Sequence, residues 1–124
     1  FNFFRPGYVP PNTALSSQKL VAPELQIATE PTVTGYINYM AGTVNNARNV
    51  RADYANELAL ASTPAALVAS LSLLLAAGAV SDANQALIVQ AIASMPDGTD
   101  AARSNRVYAA VVLVMASADY LIQR

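Results

Sequence analysis

The stretch from residue 63 to residue 95, TPAALVASLSLLLAAGAVSDANQALIVQAIASM, decides the fold. Thr63 followed by Pro64 is typical of a helix start, because proline is well tolerated at the first helical position. Gly78 predicts the end of this helix, since glycine readily takes the left-handed conformation of a C-terminal cap. Ser81 is expected to cap a second helix. Two helices joined by so short a loop predict an antiparallel hairpin.

Apolar side chains recur at helical spacing along both predicted helices and along a third one nearer the end of the chain. The predicted core positions are Leu67, Val68, Leu71, Leu74 and Leu75 in the first, Leu87, Ile88, Ala91, Ile92 and Met95 in the second, and Val107, Tyr108, Val111, Val114 and Met115 in the third. Asn84, Gln85, Gln90 and Ser94 are expected to face away from the core. Many β-branched residues in 107–114 leave a strand as the lesser alternative there.

The same spacing and capping signals predict an all-α fold for the whole chain. We expect a bundle of about five helices preceded by an extended arm. The approximate helix ranges are 30–46, 54–61, 64–77, 82–95 and 100–116, with a short last turn at 118–122. The expected caps include Thr29, Asp53 and Ser117, and residues 95–100 are expected to form a turn followed by a helix cap. A further short helical turn is expected at 23–28.

The first 22 residues are expected to form an extended, aromatic arm and a polar connector, followed by a helical module at 23–124. Residues 1–11 read FNFFRPGYVPP. Three prolines and one glycine exclude a regular helix and predict a turn near Pro6 and Gly7. The polar connector follows at 12–22.

The amino-acid composition of the 124-residue chain excludes several kinds of site. It contains no His, Cys or Trp. This excludes the usual zinc ligands, haem or iron–sulfur ligation, a thiol nucleophile and a Ser-His-Asp triad. Seven Lys and Arg residues against eight Asp and Glu residues give a net charge of -1, which argues against nucleic-acid binding. We therefore predict no cofactor, no metal and no nucleic-acid partner.

Charged residues are scarce, at 12% of the chain against about 25% in typical domains. Residues 58–81, 83–96 and 107–118 carry no charge at all. Helices of this kind are usually covered on more than one side. The chain is therefore expected to pack on the rest of a larger protein or on copies of itself. Its opening inside an aromatic segment, with no initiator Met, also led us to expect a fragment.

A membrane span is the lesser alternative for the charge-poor hairpin. Residues 65–80 contain only two polar side chains, Ser70 and Ser72. The run has sixteen residues, whereas a spanning helix needs about 20 strongly apolar ones. It also lacks flanking Trp, Lys or Arg anchors. These features favour a buried helix.

Two groups of aromatic and amide side chains are candidate binding residues. The arm contributes Phe1, Phe3, Phe4 and Tyr8, and one face of the predicted helix 30–46 contributes Tyr36, Tyr39 and Asn46. Aromatic rings could stack on a sugar or another polymer, and hydroxyl and amide groups could bind a ligand. Docking of the arm on a core, and a helix interface with satisfied polar groups, are the commoner structural explanations.

Several charged residues are candidates for chemistry, although structural explanations are favoured. Glu24, Asp53 and Glu57 are possible acids, but without a desolvating pocket such carboxylates usually lie in solvent. Asp97 and Asp100 fit a turn followed by a helix cap better than a calcium loop, because the EF-hand spacing is absent. Arg103 and Arg106 lie three apart and could clamp an anion, but we expect them to be solvated. No catalytic residue is predicted.

The two ends of the chain read FNFFRPGYVPP at 1–11 and VYAAVVLVMASADYLIQR at 107–124. Together they resemble the C-terminal part of a bacterial family, the domain of unknown function 1800 family. The similar positions are Phe1, Asn2, Phe3, Phe4, Arg5, Pro6, Gly7 and Tyr8, then Leu20 to Glu24, then Met115, Ser117, Asp119, Tyr120, Leu121, Gln123 and Arg124. The resemblance spans the whole chain but only about the last quarter of a typical member. It implies a helical, exported bacterial protein, periplasmic or extracellular, with no assigned reaction.

These observations lead to one functional expectation and one alternative. The expected role is that of a non-catalytic structural or interaction module that packs on the upstream part of its parent polypeptide or self-associates. The alternative is part of a secreted hydrolase or of a polymer- or carbohydrate-binding protein, which the exposed aromatic residues would serve.

Overall fold

A computed structural model describes residues 4–46, 49 and 51–122, and this part of the chain contains only helices, turns and irregular segments. The helices are α1 (Ala14–Ser17), a 3₁₀ helix (Pro23–Ile27), α2 (Glu30–Val44), α3 (Ala55–Ala59), α4 (Pro64–Ala76), α5 (Asp82–Ala93), α6 (Asp100–Ala116) and α7 (Ala118–Leu121). The predicted all-α fold is confirmed. The chain divides into two compact units, Phe1–Tyr36 and Ile37–Arg124.

The first unit is held together by short-range turns and by one longer backbone contact. The predicted turn near Pro6 is present, closed by a hydrogen bond from the Tyr8 N–H to the Arg5 carbonyl at 3.0 Å. The Ala22 N–H donates to the Tyr8 carbonyl at 2.8 Å. The polar connector at 12–22 contains a short helix, α1, which the sequence analysis did not predict. Helix α1 forms there because the Thr13 hydroxyl accepts the Ser16 N–H and so caps the turn.

Helix α2 begins as predicted and ends earlier than predicted. Thr29 immediately precedes the helix, and its hydroxyl accepts a hydrogen bond from the N–H of Thr32, in the first turn, at 3.4 Å. The predicted end at residue 46 is wrong, because the helix stops at Val44. Asn46 has a φ of 60°, in the left-handed region that asparagine tolerates better than most residues. A helix cannot continue through that conformation.

The second unit is built around α4, α5 and α6, which pack against one another and enclose the core. Helix α3 contacts α6, and α7 contacts both α4 and α6. The buried apolar residues of this core are Val44, Ala61, Leu67, Val68, Leu71, Val80, Ile88, Ile92, Val107, Ala110, Val111 and Val114. The helical alternative for residues 107–114 is thus correct, and the strand is not.

Some of the predicted core positions lie outside the core. Leu74 is 68% exposed, Leu87 is 64% exposed, and Ala91 is exposed as well. Half-buried Asn84 and Gln85 were expected to face away. The prediction failed because α4 carries no charged side chain and α5 carries only Asp82 at its start, so that apolar residues occur on every face. Periodicity alone then cannot identify the inner face.

The turn between α4 and α5 places two consecutive residues in the left-handed region. Ala77 has a φ of 49° and Gly78 a φ of 78°. The Gly78 N–H reaches back to the Ser72 carbonyl at 2.9 Å. Helix α4 therefore ends at Ala76, and the left-handed conformation begins at Ala77, one residue before the predicted glycine, where the alanine Cβ makes it costly.

Replacing Ala77 with Gly is expected to raise the free energy of unfolding by about 0.5–1 kcal/mol, because glycine takes a positive φ without steric cost. Urea unfolding followed by circular dichroism measures the change. The control is Ala69→Gly at an exposed position inside α4, which is expected to lower stability by about 1 kcal/mol. Equal destabilisation by both substitutions would contradict the assigned strain.

The lengths of the helices bear on the membrane alternative. Within the described part of the chain, no helix combines the length and the apolar character needed to cross a membrane.

Candidate functional site

The aromatic residues of the predicted arm are only partly described. Phe1 and Phe3 lie outside the described residues. Phe4 is 40% exposed and Tyr8 is half-buried. The backbone of Tyr8 is fixed on both sides, by its N–H to Arg5 and by its carbonyl to Ala22. These contacts hold the segment within the first unit, and the predicted ligand-stacking role stays a prediction.

The predicted stripe of Tyr36, Tyr39 and Asn46 is not continuous on one helix. Tyr36 is half-buried and Tyr39 is 55% exposed, both on α2. Asn46 lies beyond the helix end, and its Oδ1 accepts the Ala52 N–H at 3.0 Å. The amide of Asn46 therefore fixes the following loop. The prediction that Asn46 continues the stripe is wrong, because the left-handed backbone at this residue lies beyond the end of α2.

The candidate acids Asp53 and Glu57 do not lie on one helical face. Asp53 precedes α3, and its Oδ1 accepts the Ala55 N–H at 3.0 Å. Because Asp53 is not in the helix, it does not share a helical face with Glu57. Glu24 is exposed in the first turn of the 3₁₀ helix of the other unit. Among the described residues, no three potential ligand side chains come together in a way that could hold a metal ion.

An open cleft of about 500 Å³ lies between α3 and the first turns of α6. It is lined by Ala55, Leu58, Ala59, Ser62, Asp100, Arg103 and Ser104. The Arg103 guanidinium is paired with Asp100, and the Ser104 hydroxyl donates to the Asp100 carbonyl at 2.9 Å. Much of the polar lining is thus engaged locally, and the rest of the lining consists of Ala55, Leu58, Ala59 and Ser62.

Arg106 is a buried structural residue, which corrects the prediction of a solvated arginine. Its side chain is only 8% exposed. Nε donates to the Met95 carbonyl at 2.9 Å, and Nη1 donates to the Ala61 carbonyl at 3.1 Å and to Asp97 Oδ2 at 3.2 Å. Nη2 also donates to the Met95 carbonyl. The guanidinium therefore ties α6 to the α3–α4 connection and to the α5–α6 turn.

The burial of Arg106 could have been predicted from its spacing along the helix. Arg106 lies four residues before Ala110, a position inside the core, and such residues share a helix face. The sequence analysis did not use this spacing, because a charged residue is normally expected to lie in solvent. The planar guanidinium can satisfy several carbonyl groups at once, which allows it to be buried where a lysine would not fit as well.

Asp119 forms a second polar cluster, which we call the α7 clasp: Asp119, Ser81 and Asn84. Asp119 Oδ2 accepts the Ser81 N–H at 2.9 Å, the Ser81 hydroxyl at 2.9 Å and the Asn84 amide at 2.7 Å. The Ser81 hydroxyl was expected to cap α5 itself. Instead the carboxylate of α7 lies at the α5 N-terminus, where the helix dipole favours negative charge.

Replacing Asp119 with Ala is expected to lower the free energy of unfolding by about 1.5–2 kcal/mol, because hydrogen bonds to a charged acceptor are lost. The matched control is Asp82→Ala, an exposed acid in the first turn of α5. That control is expected to cost no more than about 1 kcal/mol, the worth of an acidic side chain near a helix N-terminus. Urea unfolding measures both. Equal losses would show that the clasp contributes only its charge.

Tyr54 and Tyr108 join α3 to α6 through an edge-to-face ring contact, with ring centroids 5.5 Å apart and planes at 63°. The Tyr54 hydroxyl donates to the Val44 carbonyl at 2.9 Å. Burial raises the pKa of Tyr54, and the nearby Tyr108 and Glu57 raise this pKa further. The neutral phenol is therefore the form that the folded state favours.

Alkaline pH is expected to destabilise the fold through Tyr54. In the unfolded chain this phenol ionises near its ordinary pKa of 10.0, whereas the folded state holds its proton to higher pH. The contribution of Tyr54 to the free energy of unfolding is therefore fully present below pH 10 and is lost as the pH rises above that value. Urea unfolding at pH 9 and pH 11 measures the decline, which is expected to be smaller in Tyr54→Phe. An equal decline in both proteins would contradict this assignment.

The outward side of the α4–α5 hairpin exposes several large apolar side chains. Leu73 is 70% exposed, Leu74 is 68% exposed and, on α5, Leu87 is 64% exposed. We define the outer face of α4 as Ala65, Ala66, Ala69, Ser70, Leu73 and Leu74, which are all exposed or half-buried. This face contains no charged residue. Sequence analysis anticipated such an excess of apolar surface, but it did not identify these residues.

The protein was compared with protein-family models, with curated proteins and with solved structures. None of the three comparisons found a match. The resemblance to the domain of unknown function 1800 family therefore stays a prediction.

Proposed function

We propose that this chain is a non-catalytic helical packing module, whose outer face of α4 is covered by another protein surface. The observation that carries the proposal is the exposure of Leu73 and Leu74, together with Leu87 of the neighbouring helix. Helices that are apolar on every side are usually buried on every side. The covering surface is the rest of a parent polypeptide or a second copy of the chain.

The energetics support a role in packing. Burying a leucine side chain contributes roughly 1.5–3 kcal/mol. Covering Leu73, Leu74 and Leu87 therefore supplies several kcal/mol, which is comparable with the free energy of a specific protein contact. No charged residue of α4 has to be desolvated in the process.

The polar clusters of the second unit also support a structural role. Arg106 and Asp119 each form several side-chain hydrogen bonds to other elements of the second unit. Both use these bonds to join elements of the same bundle. On the resemblance stated above, we place the module in an exported bacterial protein, and that placement is part of the proposal.

The test is binding of a hydrophobic fluorescent dye to the 124-residue chain. We expect either clear dye fluorescence or self-association that covers the outer face of α4. Whichever occurs is expected to be lost in a Leu73→Gln, Leu74→Gln double variant. Helical content should be retained, because both side chains lie in solvent. The control is Leu20→Gln, at a 47% exposed leucine of the other unit. A monomer without dye binding would overturn the proposal.

A further inference from the structure

The outer face of α4 has its small and large side chains in separate halves. The N-terminal half carries Ala65, Ala66 and Ala69, and the C-terminal half carries Leu73 and Leu74. Both leucines are more than two-thirds exposed. The face is therefore shallow at one end and raised at the other.

This arrangement is complementary to itself when turned around. A two-fold axis that passes between Ala69 and Ser70 sets residue 66 of one copy opposite residue 73 of the other. Residues 65 and 74 lie at opposite edges of the outer face, so that Leu74 flanks the contact. Leu73 of each copy then meets Ala66 of the other, and the small side chains of Ala69 and Ser70 lie at the axis, where helices approach most closely. A parallel pairing would instead set leucine on leucine and leave a gap between alanines.

The charges on the hairpin allow this contact. Helix α4 carries no charged residue, and α5 carries only Asp82 at its first position. In a two-fold interface the same patch meets itself, so any charge on the patch would face its own copy. Because α4 carries no charge, this repulsion is absent. A strongly charged partner could form no ion pair with α4.

From this geometry we infer that two copies of the chain associate through antiparallel packing of α4, with Leu73 of each copy seated on Ala66 of the other. This inference rests on the proposed function, and it specifies the covering surface as a second copy.

The size of the face determines the strength of the association. Helix α4 has 13 residues, which gives a length of roughly 20 Å. A contact through one hairpin face is smaller than the roughly 800 Å² per partner of a standard interface. We therefore expect a reversible dimer with a Kd on the order of micromolar. Leu73→Gln is expected to weaken the dimer roughly tenfold or more.

Cysteine cross-linking tests the register directly, because the chain contains no cysteine. Two single variants of the 124-residue chain are used, Ala66→Cys and Leu73→Cys, under mild oxidation. A mixture of the two is expected to form disulfide-linked dimers several-fold faster than either variant alone. Ala101→Cys, at an exposed position in the first turn of α6, is the control and is expected to stay uncross-linked.

The outcomes separate this inference from the proposed function. Sedimentation that shows only monomers into the millimolar range would overturn the dimer, as would faster cross-linking of each variant with itself than with the other. If such a monomer still binds hydrophobic dye through Leu73 and Leu74, the packing face stands and its occupant is another protein. If the dye binding is absent as well, the proposed function fails too.

Discussion

Replacing Arg106 with Met is expected to lower the free energy of unfolding by about 3 kcal/mol. Methionine keeps most of the apolar stem, so that the loss comes from the guanidinium. Its removal leaves the carbonyl groups of Met95 and Ala61 without this donor, and the Ala61 residue is completely buried. A buried polar group that loses its partner costs about 1–3 kcal/mol. Asp97 also loses its ion-pair partner.

Two controls separate these contributions in the Arg106 experiment. Arg103→Met changes the same residue type one turn earlier in α6, where the side chain is 42% exposed and its partner Asp100 is 95% exposed. We expect at most about 0.5 kcal/mol there, as for other surface pairs. Arg106→Lys keeps the charge but not the planar fork, and an intermediate loss is expected. Urea unfolding measures all three, and equal losses at 103 and 106 would refute the assigned role.

Replacing Leu67 with Ala is expected to cost about 3 kcal/mol of unfolding free energy, within the 2–5 kcal/mol usual for buried leucines. Leu67 has no exposed surface and belongs to the core between α4, α5 and α6. The substitution removes buried methyl groups and leaves a cavity that the surrounding helices cannot fill completely. The midpoint of thermal or urea unfolding is expected to fall accordingly.

The matched control for Leu67 lies on the same helix. Leu74→Ala is the same substitution at a side chain that is 68% exposed. In dilute, monomeric protein it is expected to change stability by less than about 0.5 kcal/mol, as surface substitutions usually do. A large loss at Leu74 together with a small loss at Leu67 would mean that the inner and outer faces of α4 have been assigned the wrong way round.

The candidate site was predictable in kind but not in position. The scarcity of charge in residues 58–81 predicted apolar helices that need a cover. It did not predict that Leu74 faces outward while Leu71 faces inward, because both fit an apolar stripe. The Tyr36 and Asn46 stripe assumed a helix that continued to 46. One left-handed residue ended that helix, and propensity gives little warning of such a residue.

The sequence by itself determined several of the helix ends of this protein. Thr99 with Asp100, Ser117 and the Thr63-Pro64 pair mark helix ends that the structure contains, because caps and proline act through atoms a few residues away. The tertiary structure alone decided which face of α4 became the core. It also decided the roles of Arg106 and Asp119, whose partners lie 45 and 38 residues distant. Contacts across such distances depend on how the helices pack, and no local pattern carries that information.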